Sequence, residues 1–220
     1  MCSGSGVIMK KKKEIRCWDL KGVSLRVKRE KDSEGNEKPI ISGYAAVFNS
    51  MSEDLGGFRE KIKPGAFKNA LKKSDCRALF NHDSNFPLGR QSAGTLTLKE
   101  DDKGLYMEVD PPDTQYARDL MVSIERGDVV EQSFGFTIKT DEWQEDRDNG
   151  KTTRTLIEVD ELFDVSPVVF PAYPDTTVAK RSLDEFKKST AISGDDTSAI
   201  TRKAEDEKKE KYFKSKGYLK

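Results

Sequence analysis

The chain has 220 residues, 35% hydrophobic and 35% charged, with Lys+Arg and Asp+Glu both at 39. That balance argues against nucleic acid or an anionic membrane as the main partner, and the apolar runs are too short for a spanning helix. The size suits one globular domain at residues 20–182, between a flexible N-terminal segment 1–19 and a charged, disordered or partly helical tail 183–220.

Basic residues near the start are followed by no apolar core, so no secretory signal is expected, and Met1 and Met9 are both candidate starts. Cys2, Cys17 and Cys76 are odd in number and widely spaced, which predicts free thiols, a reducing compartment and no zinc site.

Residues 10–20 are charged and expected to fray. Residues 23–30 (VSLRVKRE) alternate apolar and polar and predict a strand. A turn-rich loop follows, then a second strand over 40–49 (IISGYAAVFN), with Gly43 at a bulge or a close backbone approach. Residues 50–63 read as a mobile loop. Pro64 lies near the start of a helix whose apolar stripe is Ala66, Phe67, Ala70 and Leu71. CRALFNHD then predicts a buried strand ending at His82.

Thr95–Val109 reads as a hairpin turning at EDDKG. A second helix is capped by Asp113 or Thr114, presents Ala117, Leu120, Met121 and Ile124 on one face, and stops at Gly127. Residues 128–143 predict a strand, 146–152 a turn, and 153–174 a long β-rich run closed by prolines. Strands linked mostly by hairpins imply a β-rich α+β fold, a mostly antiparallel sheet or barrel with helices outside.

Three groups are candidates for chemistry. In the strand EQSFGFTIK, period-two alternation puts Ser133 on the wetter face with Gly135 two positions on, either a nucleophile with room beside it or a surface serine next to a bulge. His82 is the only histidine, hence the only imidazole for base chemistry near neutral pH, or else a polar group paired with a neighbour. Asp164 lies among apolar residues and needs a partner, for which an imidazole N–H is suited, or else it pairs with a lysine or arginine or faces water. Glu158, Asp160 and Glu161 are alternative acids. Cys76, six residues before His82, is a poorly placed alternative nucleophile, and Asn81, His82 and Asp83 make a weak metal set.

In order, GYAAVFN, KPGAF, LFNHD, PLGR, GLYMEV, QSFGF and FDVSPVVFPAYP resemble the HK97-type prohead proteases of tailed bacteriophages, from about Gly43 to Tyr173. The resemblance implies a serine endopeptidase with the herpesvirus assembly-protease fold, an antiparallel β-barrel wrapped by helices. It implies Ser133 as nucleophile, His82 as general base and Asp164 as third member, with no cofactor and no metal. It places the oxyanion donors near Pro171–Tyr173 by analogy. The implied substrates are the scaffold and the N-terminal region of the major capsid protein, cut inside the assembling prohead in the host cytoplasm. Self-cleavage and homo-oligomers also fall within what it implies. Two rival readings are a catalytically silent capsid-assembly protein and a metal-dependent hydrolase.

Overall fold

The computed structural model describes residues 12–17, 25–31, 34–146, 151–170, 182–184 and 186. The candidate starts, Cys2, the beginning of the 23–30 strand, the Pro171–Tyr173 segment and the tail from 187 lie outside these residues.

Among the described residues, ten strands form two sheets. They are β1 (Glu14–Cys17), β2 (Arg26–Lys31), β3 (Glu37–Val47), β4 (Phe58–Ile62), β5 (Arg77–Phe80), β6 (Asp83–Arg90), β7 (Leu96–Glu100), β8 (Gly104–Val109), β9 (Glu131–Asp146) and β10 (Lys151–Val168). The larger sheet runs β1-β9-β10-β5-β6, with β4 also paired to β10, and the smaller runs β2-β3-β8-β7. Pairing is antiparallel except for β4–β10 and β5–β10. The two ladders do not join, so the expected barrel is an open two-sheet arrangement.

β10 organises the larger sheet. It pairs with β9 along its whole length, with β4 through Thr152–Leu156 and with β5 through Asp164 and Val165. Between the sheets lies one apolar core, with Ile41, Ala45, Leu105 and Met107 from one side and Phe134, Phe136, Val159 and Leu162 from the other. Helix α1 (Lys68–Lys73) packs on β10, and helix α2 (Gln115–Arg126) lies against β2 and β6. Thr114 holds the N-cap position of α2 but its side chain makes no capping hydrogen bond, and Gly127 ends the helix with φ 83°, a left-handed conformation that glycine adopts without a Cβ clash. Among the described residues, no helix is long and apolar enough to cross a membrane.

Several elements differ from expectation. Gly43 is the close-approach case, since a Cβ there would stand 3.2 Å from the Leu25 Cα, while the bulge falls next to it between Tyr44 and Ala46. The 50–63 loop contains β4, whose Phe58, Glu60 and Ile62 point inward. The segment expected to fray contains β1, paired antiparallel with β9. Leu183, counted with the tail, is buried against Leu55 and Phe58.

The inward face of β1 is charged. Arg16 donates from Nε to Glu60 Oε1 at 2.9 Å and from Nη2 to Glu14 Oε2 at 2.5 Å. Arg154 Nη1 donates to Glu14 and Glu60, each at 3.0 Å, and its Nε donates to Asp141 at 2.6 Å. Burial opposes ionisation of Glu14, yet Arg16 and Arg154 outweigh it and hold the carboxyl below its ordinary value. Its contribution to stability is therefore in place above the usual glutamate range and lost as pH falls through the lowered value. Removing Arg154 leaves buried carboxylates short of a cation. Arg154→Ala is expected to destabilise the fold by about 3–5 kcal/mol in urea denaturation, the range for breaking a buried pair. A loss below about 1 kcal/mol, the surface-pair range, would contradict this account of the cluster.

Candidate active site

β9 and β10 bring two of the three candidates together by register alone. Ser133 pairs with Ser166, and Gly135 pairs with Asp164. Directly paired residues point to the same face of a sheet, so Ser133, Gly135, Asp164 and Ser166 share one side. The opposite side of β9 carries Phe134 and Phe136, whose rings lie 4.9 Å apart, and Phe67 meets Phe134 edge-on at 5.6 Å. This aromatic packing fixes the strand beneath the hydroxyl.

The third candidate arrives on a hairpin. Phe80 pairs with Asp83, so Asn81 and His82 form a two-residue turn, with φ values of 54° and 58°. Two successive positive φ values are what a type I′ turn requires, and its twist suits the flanking strands. Asparagine and histidine are both among the non-glycine residues enriched in this conformation. The turn is tied to the end of β10, since Asn81 N–H donates to the Pro167 carbonyl and Val169 N–H donates to Asn81 Oδ1, both at 3.0 Å. The imidazole is thereby held over the face that carries Asp164.

His82 touches both other candidates. Its Nδ1 is hydrogen-bonded to Asp164 Oδ2, and its Nε2 lies 2.7 Å from Ser133 Oγ. Asp164 also accepts from Ser166 Oγ at 3.0 Å and from Lys13 Nζ at 2.6 Å. Burial works against its charge, but hydrogen bonds and charge from His82 and then Lys13 prevail, and the carboxyl is held below its ordinary value. The Ser133 hydroxyl has a second neighbour, the Arg16 carbonyl oxygen at 3.0 Å.

Ser133 is fully buried, contrary to its expected place on the wetter face. The face is closed by the histidine turn and by the chain leading into β1. The room beside Gly135 is likewise taken, because a Cβ there would run into Lys13 Cε and stand 2.6 Å from Asp164 Oδ1.

The alternative groups are engaged elsewhere. Glu158 accepts from Asn69 at 2.7 Å and Lys139 at 2.9 Å, Asp160 pairs with Lys73 at 2.6 Å, and Glu161 is exposed. Cys76 is buried, and burial followed by the nearby Asp164 charge pushes its thiol well above the ordinary range, which disfavours a thiolate. Asp83 Oδ1 accepts from the Asn85 backbone at 2.8 Å, so it turns away from His82. Lys13, Arg16 and Ser166 were not singled out in the sequence. Ser166 carried a signal, being two residues past Asp164 on one strand face, whereas Lys13 and Arg16 lay in a segment with no apolar period.

A buried hydroxyl, a half-buried imidazole and a buried carboxylate in one chain of contacts is the arrangement used by serine hydrolases. Residues 24–189 match the family of caudovirus prohead serine proteases, and the chain belongs to that family. The prohead protease of Enterobacteria phage HK97 is 33% identical over 150 residues, 66% of this chain and 61% of that protein, so the match spans less than two thirds of the relative. A solved structure, that of the bacteriophage T4 capsid assembly protease, aligns with a TM-score of 0.48 and 10% identity, covering 74% of this chain and all of that one.

The crowding at Gly135 is testable without an activity assay. Gly135→Ala should push Lys13 or Asp164 out of place and lower unfolding stability by about 1–3 kcal/mol, the usual cost of overpacking. Unchanged stability in chemical denaturation would mean that Lys13 does not fill this space.

Proposed function

We propose that this protein is a serine endopeptidase of prohead maturation. Family membership and the His82 bridge between Ser133 and Asp164 support the reading, and the bridge is the single observation that carries it. Ser133 is the nucleophile, His82 the general base and Asp164 the group that orients the ring.

The chemistry follows from the contacts. With its Nδ1 proton donated to Asp164, His82 presents the Nε2 lone pair to the Ser133 hydroxyl. Ser133 Oγ attacks a peptide carbonyl carbon as its proton passes to Nε2. The imidazolium is stabilised by the carboxylate, and it returns the proton to the leaving amine nitrogen as the C–N bond breaks. Water, deprotonated by the same nitrogen, then hydrolyses the acyl-serine ester. The proposed substrates are the scaffold and the N-terminal region of the major capsid protein, cut inside the assembling prohead in the host cytoplasm. Self-cleavage and homo-oligomer formation belong to the same proposal.

Co-expression with the cognate capsid protein tests it. The wild type should shorten the capsid protein, and Ser133→Ala should leave it full length on a denaturing gel. Asp164→Asn should slow cutting by roughly 10⁴-fold by upsetting the ring tautomer, the magnitude seen for such a change in serine proteases. A capsid protein left whole by the wild type would favour a silent assembly role. Wild-type rates in Asp164→Asn would remove the carboxylate from the mechanism.

A further inference from the structure

β1 is the edge strand of the larger sheet, four residues long, and its backbone runs beside the nucleophile. Its register sets Cys17 opposite Ser133 and Arg16 opposite Phe134. The Arg16 carbonyl oxygen is 3.0 Å from Ser133 Oγ, and the carbonyl carbon is one C=O bond, about 1.2 Å, from that oxygen. Thus a peptide carbonyl of an extended segment already stands next to the hydroxyl. An edge strand on β9 is also the form in which an unfolded substrate segment would be held, by main-chain pairing with pockets for alternate side chains.

The pocket that receives Arg16 is built for a cation. Its guanidinium meets Glu60 at 2.9 Å and lies 5.9 Å from the centre of the Phe136 ring. Glu60 is fully buried. β1 brings its own acid, Glu14, which accepts from Arg16 Nη2 at 2.5 Å and from Arg154 Nη1 at 3.0 Å, and the acid that β1 does not supply is Glu60, joined to Arg154 at 3.0 Å. A basic side chain in the place of Arg16 meets that buried carboxylate.

We propose that the edge of β9 is the substrate-strand site, that β1 is its internal stand-in, and that the residue before the scissile bond is basic, recognised by Glu60. This rests on the peptidase reading above. Glu60 is a specificity-determining residue, and Lys13, by its contact with Asp164, fastens the stand-in beside the catalytic groups.

Activity-based probes test the proposal on the full chain and separate it from the reading it rests on. A small fluorophosphonate that reacts with any activated serine is compared with peptidyl diphenyl phosphonates bearing arginine or leucine at the position before the reactive phosphorus. In each, Ser133 Oγ bonds to phosphorus, fluoride or phenoxide leaves, and the hydroxyl proton is released. The arginyl probe should label Ser133 roughly tenfold to a hundredfold faster than the leucyl probe, the range for hydrogen bonds to a charged group. Glu60→Gln should bring the two rates together, each taken relative to fluorophosphonate labelling of the same variant. Should Glu60→Gln fail to fold, a peptide of Lys12–Cys17 added to the wild type should slow arginyl labelling, and the same peptide with Arg16→Ala should not. Fluorophosphonate labelling of Ser133 with equal arginyl and leucyl rates would overturn the basic pocket and leave the peptidase reading standing. No labelling of Ser133 by any probe, together with a capsid protein left whole on co-expression, would remove the peptidase reading itself.

Discussion

The antiparallel register of β9 against β10 is the constraint on which the site depends. Ser133 and Asp164 belong to different strands, 31 residues apart in number, yet the ladder sets Ser166 beside Ser133 and Gly135 beside Asp164. A slip of one residue would turn the hydroxyl toward Phe134's side of the sheet and leave the carboxylate in the wrong place. Length makes such a slip costly. The two strands run for 16 and 18 residues, and their apolar residues, among them Phe134, Phe136, Val159 and Leu162, share one core with Phe67, Ile41 and Met107. Irregular pairing is confined to four steps of β10, the last between Leu162 and Asp164, so the strand is re-aimed just before the carboxylate.

The imidazole is brought in by a different device. A histidine carried on a long strand could not face a neighbour two strands away, because β5 lies on the far side of β10 from β9. The tight turn at Asn81 and His82 lifts the ring out of its own ladder and back across β10. Such a turn asks for positive φ at both positions, which an Asn-Gly pair would satisfy with less strain. Asn81 and His82 both take the left-handed conformation, and the turn is held by the two hydrogen bonds that Asn81 makes to Pro167 and Val169. Backbone strain of this kind, secured by neighbouring contacts, is characteristic of sites where orientation matters more than stability.

How much of this could be read in the sequence differs by element. The three candidates stood out because each broke its local pattern, a lone histidine, a serine with a glycine two positions on and an acid among apolar residues, but the pattern put Ser133 on the wetter face and only the family resemblance gave the three their roles. The hairpin at 95–109 and helix α2 were legible through alternation, helical spacing and a terminal glycine. β1 was not, because its pattern is inverted: Glu14 and Arg16 are buried while Ile15 and Cys17 are half exposed. Apolar periodicity cannot find a strand whose inward face is an ion cluster completed by β4 and β10. β6 escaped for a related reason. It is an exposed edge strand containing Pro87, and its first residues face solvent, so no buried period marks it. The closed barrel failed as an expectation because hairpin order fixes neighbours, not whether the last strand meets the first.

Donor and acceptor counting at Ser133 gives the arrangement its chemical meaning. The hydroxyl owns one proton and has two partners, His82 Nε2 at 2.7 Å and the Arg16 carbonyl at 3.0 Å. A neutral ring that gives its Nδ1 proton to Asp164 has only a lone pair at Nε2, so the hydroxyl must donate there and Arg16 goes without. If the hydroxyl instead donates to Arg16, Nε2 can bond to Ser133 only as a donor, and the ring must then carry both protons. All three contacts coexist only in that second state, in which His82 has no lone pair left to accept the Ser133 proton. β1 therefore competes with His82 for a single hydrogen, and under the proposed mechanism the geometry that satisfies every partner of Ser133 is also the one least able to attack.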